Sequence, residues 1–412
     1  AVKWPQRVTF ADATALSSLW HFGSSNELKV VSNSTSFAVS YCGATINYET
    51  RVHPRISPTS QTVTVGVAAS LDASASYSDV GTIIRYDWNF GDGTTGSGVT
   101  VTHSYSRQGR YTVTLTIEDS AGNVGSTQAT VIVTGPPQVM CVPWRYGLPH
   151  ETWNGNPTIL KAVVKSVELP LNYTWNYGDG TSLSGTITTE AAMYQVEATH
   201  NYPSSADGTP YTATLTVTTP SGFSGSDQYR LVVRTKTLDT EVNVAIDDGL
   251  WYLHKQQQRS TSGGKDLGKW TEGGYDVSLT SSAVLAFEIQ GHRVIDDADE
   301  DPYVETVQRG LNYLFTIMYT RAISSGSQCP YGNPDTNGNG VGIDTQGARN
   351  TYEIGMAMMA ISASGAPDWV AQTGPTGVSG RTYRDILTDM VDMCAWGQNE
   401  SGNGRGGWRY AW

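Results

Sequence analysis

Trp88-Asn89-Phe90-Gly91-Asp92-Gly93-Thr94 returns 87 residues later as Trp175-Asn176-Tyr177-Gly178-Asp179-Gly180-Thr181, and this pair of stretches decides the fold of the first half. Each is followed by a His-x-Tyr, His103-Ser104-Tyr105 and His200-Asn201-Tyr202. A Gly and a Tyr-led run come next, Gly109-Arg110-Tyr111 and Gly208-Thr209-Pro210-Tyr211. The Trp offers a large apolar anchor. Gly-Asp-Gly permits positive φ in a tight turn, where the Asp side chain accepts from backbone N–H groups. Around these motifs Val63-Thr64-Val65, Tyr111 to Ile117, Val131-Ile132-Val133 and Ala213 to Val217 alternate with the period of half-buried strands. Motifs repeated in this order predict tandem β-sandwiches of about 80–100 residues.

The Trp-x-Phe-Gly-Asp-Gly and His-x-Tyr…Gly-x-Tyr-x-Val-x-Leu pattern resembles the PKD domain, an immunoglobulin-like β-sandwich. Residues 54–134 resemble it throughout. Residues 135–235 carry its core signatures with a longer stretch between Gly185 and His200, and are PKD-like. The resemblance implies an extracellular spacer, adhesion or carbohydrate-associated module, and no catalysis. Residues 1–53 read as a β-rich lead-in, with a strand at Phe37 to Tyr41 and a short helix or turn at Ala13 to Trp20.

From about residue 240 the spacing becomes helical: Val242, Ala245, Ile246, Leu250 and Leu253 share one face. Gly249-Leu250-Trp251-Tyr252-Leu253 is echoed 61 residues on by Gly310-Leu311-Asn312-Tyr313-Leu314, and Tyr383 to Trp396 is a third helix of this kind. Between them lie small-residue helices, Leu279 to Gln290 and Thr351 to Ser364, closing at Gly291 and Gly365. Gln257 or Gln258 leads to Gly268-Lys269-Trp270, and Gln398 leads to Gly406-Gly407-Trp408. These resemble the Gln…Gly-x-Trp repeats of the prenyltransferase and squalene-cyclase α/α-toroid superfamily. The expected fold is therefore multidomain: tandem all-β sandwiches, then an all-α toroid segment over 236–412. The helix pairs are too few to close a ring, so a fragment of a longer polypeptide is expected, or an arc completed by a neighbouring chain.

Composition narrows the partners. Residues 1–236 hold 16 acidic and 14 basic residues, and residues 237–412 hold 22 and 12, so the negative charge sits in the second half. Such a surface repels phosphate backbones, and nucleic acid is excluded as a partner. No apolar run reaches the ~18 residues of a membrane span. The four Cys, at 42, 141, 329 and 394, form no C-x-x-C pair. Their even number suits an oxidising compartment, with Cys42–Cys141 and Cys329–Cys394 the more economical pairing and buried free thiols the alternative.

The best ligand signal is Asp335-Thr336-Asn337-Gly338-Asn339-Gly340-Val341, with side-chain oxygens at positions 1, 3 and 5 and Gly at 6, as in a calcium loop. The Val341 carbonyl would follow at position 7. Asp344 at position 10 would substitute for the acid missing at position 12, where Gln346 stands. Calcium is thus the one cofactor expected, with no organic cofactor.

Other motifs point away from catalysis. Asp297-Ala298-Asp299-Glu300 approximates a cyclase D-x-D-D, but it precedes Pro302 in a polar loop that suits helix capping. Asp392-Met393-Cys394 has a prenyltransferase zinc spacing, on the wrong helix. Gly263 to Lys269 mimics a P-loop but ends in Trp270. Trp251, Tyr252, Tyr313, Trp396, Trp408, Tyr410 and Trp412 could line a cavity, although aromatics at helical spacing are more often core.

The preferred reading is a secreted or cell-surface structural and interaction protein, self-assembling or bound to other surface proteins. A rival is an extracellular polysaccharide-lyase- or terpene-cyclase-like enzyme, with Arg349, Asn350, Tyr352 and Glu353 clustered at one helix start. A glycan-binding adhesin is a third.

Overall fold

Nine strands make the first sandwich in the computed structural model, which describes residues 51–323, 332–346, 350–398 and 407–408. They are β1 (Val52–His53), β2 (Ser60–Thr64), β3 (Ala68–Asp72), β4 (Tyr77–Ser78), β5 (Ile83–Asn89), β6 (Thr95–Ser97), β7 (Thr100–Ser104), β8 (Gly109–Asp119) and β9 (Val124–Thr134). One sheet runs β2-β9-β8-β5-β6, with β2 parallel to β9; β3 pairs with β7 and β1 with β4. The sandwich therefore begins at β1, inside the stretch expected as lead-in. The rest of that lead-in lies outside the described residues.

Alternation builds the core. Val113, Leu115 and Ile117 of β8 are fully buried between half-exposed threonines, and they meet Trp88, Leu71 and Val131. Each such side chain contributes roughly 1.5–3 kcal/mol by leaving water.

The second sandwich repeats the plan with β10 (Gln138–Cys141), β11 (His150–Trp153), β12 (Thr158–Lys165), β13 (Leu171–Asn176) and β14 (Ser182–Ile187). A helical turn, α1 (Glu190–Met193), precedes β15 (Val196–His200), β16 (Thr209–Thr218) and β17 (Ser224–Arg234). Its sheets are β11-β17-β16-β13-β14 and β10-β12-β15, and β11 is parallel to β17 as β2 is to β9. The longer stretch between Gly185 and His200 holds α1. Gln108 braces the two sandwiches: its amide donates to the Lys165 carbonyl at 2.6 Å and accepts from Val167 N–H at 3.2 Å.

The remaining chain alternates helices with two-stranded hairpins. α2 (Leu238–Gln256) leads through β18 (Gln258–Ser262) and β19 (Lys265–Lys269) to α3 (Asp276–Ile289). α4 (Pro302–Thr316) leads through β20 (Met318–Ala322) and β21 (Val341–Thr345) to α5 (Asn350–Ala363), and α6 (Tyr383–Trp396) follows. The helices start where sequence chemistry directs: Thr237, Asp301 and Thr382 cap α2, α4 and α6, with Pro302 opening α4. The expectation of an all-α segment is corrected by the hairpins. Gly263 and Gly264, both at positive φ, form the two-residue turn between β18 and β19. Gly310 lets α4 press on α3, since a Cβ there would lie 2.4 Å from Val284 Cγ2.

β12 joins the parts. Leu160, Ala162 and Val164 face the sandwich core, whereas Ile159 and Val163 face the helical core built on Trp251, Phe287, Leu311 and Phe315. A strand covered on both faces reads as a continuous apolar run, as Ile159 to Val164 does apart from Lys161.

Candidate functional site

The repeated motif is structural in both sandwiches. Asp92 accepts from Thr94 N–H at 3.0 Å and from His103 Nε2 at 2.7 Å; Asp179 accepts from Thr181 N–H at 2.9 Å and from His200 Nε2 at 2.7 Å. His103 stacks on Phe90 and His200 on Tyr177. Burial opposes ionisation of Asp92, yet the Thr94 and His103 hydrogen bonds hold its carboxyl at about 2. These acids are turn residues, as expected.

A polar seam lies between the second sandwich and α2. Lys161, with no exposed surface, pairs with Asp247 at 2.6 Å and Asp248 at 2.8 Å. His150 Nδ1 lies 2.9 Å from Asp247, and its Nε2 lies 2.9 Å from the Val142 carbonyl. Burial opposes the Asp247 charge, but His150 and Lys161 outweigh it and hold the carboxyl well below its usual range. Sequence spacing gave no sign of this cluster, which spans nearly a hundred residues.

Further along the seam, a cavity of about 340 Å³ opens between α1 and the C-terminal end of α2. His254 is buried there: Nδ1 is 2.7 Å from Thr306 Oγ1 and Nε2 is 2.8 Å from the Tyr194 carbonyl. Burial, then the charge of Arg259, lowers its pKa to about 3, so the ring is neutral. Arg259 lies over the Tyr194 ring at 4.3 Å, with Nη2 3.2 Å from each His254 nitrogen.

The expected calcium loop folds onto α6. Asp335 accepts from Gly338, Asn339 and Gly340 N–H groups, and Asn337 and Asn339 each accept from the backbone two residues on. Both asparagine amides donate to Asp389, at 2.7 and 3.0 Å, and Thr336 donates to Asp392. Arg381 pairs with Asp389 at 2.6 Å. Asp344 stands on β21 and accepts from the Tyr319 hydroxyl at 2.9 Å. Among the described residues no three His, Cys, Asp or Glu side chains gather as a metal centre.

The other sequence candidates disperse. Tyr352 is exposed and Glu353 buried, so the two leave α5 in different directions; Arg349 lies outside the described residues. Asp301 caps α4 and binds His292, while Asp299 accepts from Arg107 and Gln138 of the sandwiches. The acidic loop is thus a brace. Asp392 engages Thr336, whereas His254 and His292 engage Thr306 and Asp301. Gly263 to Lys269 lies in the β18–β19 hairpin, where Lys269 pairs with Asp276. Trp251 is core, Tyr252 and Trp408 are exposed, and Tyr410 and Trp412 lie outside the described residues, so the aromatics line no common wall among those described. Cys141 and Cys394 are free thiols, and Cys42 and Cys329 lie outside the described residues. Burial raises both described thiols, Cys394 to about 11. No described helix is long and apolar enough to cross a membrane.

Comparison with known proteins bears on the first sandwich. Bacillus cereus collagenase ColA is 48% identical over 61 residues, 15% of this chain and 6% of that protein. The Vibrio cholerae pre-pro-metalloprotease PrtV is 38% identical over 71 residues, 17% of this chain and 8% of its own length. The chain thus spans under a tenth of either relative. The crystal structure of the PKD1 domain of Vibrio anguillarum Epp is 30% identical and covers 21% of this chain and 96% of its own, with a TM-score of 0.18. Residues 51–134 match the PKD domain family, and they form its immunoglobulin-like sandwich.

Proposed function

We propose that this chain is a secreted or cell-surface structural and interaction protein, with the two sandwiches as a braced spacer and the helical segment as a packing or binding module. The observation that carries the reading is the bracing. Gln108 ties one sandwich to the other, and Asp299 reaches from the helical segment to Arg107 and Gln138. Three parts joined in this way hold a fixed geometry, as a spacer requires. The PKD match at 51–134 supports an extracellular accessory role, since the matching relatives include a collagenase and a metalloprotease.

In this reading the helix–hairpin–helix units are α/α-toroid repeats. Support comes from one recurring contact: the Trp270 indole donates to the Leu253 carbonyl at 2.8 Å, and the Trp408 indole to the Cys394 carbonyl at 2.8 Å. Each acceptor stands four residues before Gln257 or Gln398 and is a helix-end carbonyl that needs a donor. Calcium would be taken by Asp335, Asn337, Asn339 and the Val341 carbonyl, with Asp389 in the place expected for Asp344.

Negative-stain microscopy with mass determination on the full chain and on native extracts tests the reading. Filaments, sheets or defined oligomers are expected. A monomer that binds no other surface component contradicts it.

A further inference from the structure

We propose that the cavity between α1 and the end of α2 binds a carboxylate-bearing sugar, with the Arg259 guanidinium as partner of the carboxylate. The cavity, about 340 Å³, falls within the roughly 300–1,000 Å³ of small-molecule sites. Arg259 is half-buried, and among the described residues no carboxylate lies within ion-pair distance of it. The neighbouring acids are already engaged. Glu305 pairs with Lys165 and Arg309, and Glu197 with Lys255 and the Trp251 indole. The guanidinium's partners are neutral ones, the Gln257 amide oxygen 3.3 Å from Nε and the His254 ring 3.2 Å from Nη2. A half-buried cation with neutral partners alone favours an anionic partner.

Its orientation suits one. Stacking on Tyr194 occupies the guanidinium face, Nε faces Gln257 and Nη2 faces His254, which leaves the Nη1 N–H groups as donors to the cavity. His254 cannot share the anion, because both of its nitrogens are engaged and its ring is neutral.

The rim selects among anions. Glu190 and Gln195, both exposed on the α1 side of the cavity, are planar groups able to pair with vicinal hydroxyls. Glu190 repels phosphate or a dicarboxylate. A monoanionic sugar ring avoids that repulsion by placing its carboxylate on Arg259 and its hydroxyls on Glu190 and Gln195. The inference goes beyond the spacer reading and survives its failure, since a monomer can hold this site.

The test is a titration of the full chain with D-glucuronate, D-glucose and acetate, read by calorimetry and by the imidazole nitrogen resonances of His254, which touches Arg259. Saturable glucuronate binding that shifts His254 is expected, with glucose and acetate each weaker by about tenfold or more. Arg259→Met should lose glucuronate binding about tenfold or more. Gln195→Ala, on the exposed rim where folding is not at stake, should weaken it about two- to fivefold. Absence of saturation, unchanged binding by a folded Arg259→Met protein, or acetate binding as tightly as glucuronate overturns the proposal.

Discussion

Lys161 of β12 and Asp247 of α2 form a 2.6 Å ion pair in the seam between sandwich and helices, where Lys161 has no exposed surface. Removing one member of a buried pair strands the other charge, at a cost of roughly 3–5 kcal/mol, whereas replacing both by apolar groups can be nearly neutral. Asp247→Ala and Lys161→Ala should each lower unfolding free energy by up to about that much, since Asp248 still faces Lys161 and His150 still faces Asp247. Lys161→Met combined with Asp247→Leu should recover most of it. Chemical denaturation of the four proteins checks this, and additive losses would show the pair to be uncoupled.

The turn of the second sandwich gives a sharper steric prediction. Gly178 and Gly180 both have positive φ, but a Cβ on Gly178 would lie 2.4 Å from the Thr212 carbonyl oxygen, whereas Gly180 faces open space. Gly180→Ala should cost about 1 kcal/mol through backbone strain alone, and Gly178→Ala about 3 kcal/mol or more. Thermal melts of the two variants decide it.

Two buried groups set opposite limbs of a pH profile. His254, held at about 3, stays neutral when folded; the unfolded chain binds its proton first, so stability present above about pH 6.5 is lost as pH falls toward 3. Burial pushes Glu288 up to about 9, opposed in part by Arg293, so its contribution is lost as pH rises from about 4.5 toward 9. Each limb amounts to several kcal/mol at most. Glu288→Gln should flatten the alkaline limb and leave the acid one. An unchanged alkaline slope in the urea midpoint contradicts the assignment.

Calcium, if taken by the Asp335 loop, should slow amide exchange over 332–346 and along α6, because the loop rests on Asp389 and Asp392. A midpoint near 10⁻⁴–10⁻³ M is expected on the order of extracellular calcium modules. Asp335→Ala should abolish the effect. Exchange unchanged at about ten times that concentration contradicts the calcium reading.

Much of the sandwich architecture was legible because its signals are local. Trp88, Gly91, Asp92, His103 and Tyr105 act within one hairpin and its neighbour, and their spacing survives intact at Trp175 to Tyr202. The β18–β19 hairpin of the helical segment was missed because five-residue strands with exposed polar side chains carry no apolar alternation. Lys161 was legible in hindsight: a lysine inside an unbroken apolar run signals a strand covered twice. The sites were less so. Tyr194 and His254 meet across 60 residues, and Asp389 and Asp392 are buried on α6 although charged residues of an amphipathic helix ordinarily face water.

The central claim, a braced spacer carrying the helical segment in fixed orientation, is tested most directly by an electron spin distance measurement. Labels on noncanonical residues at exposed Thr95 of the first sandwich and Ser260 of β18 leave the cysteines untouched. One narrow distance distribution is predicted, broadening in Gln108→Ala combined with Asp299→Ala. A broad distribution in the unmodified chain would contradict the account.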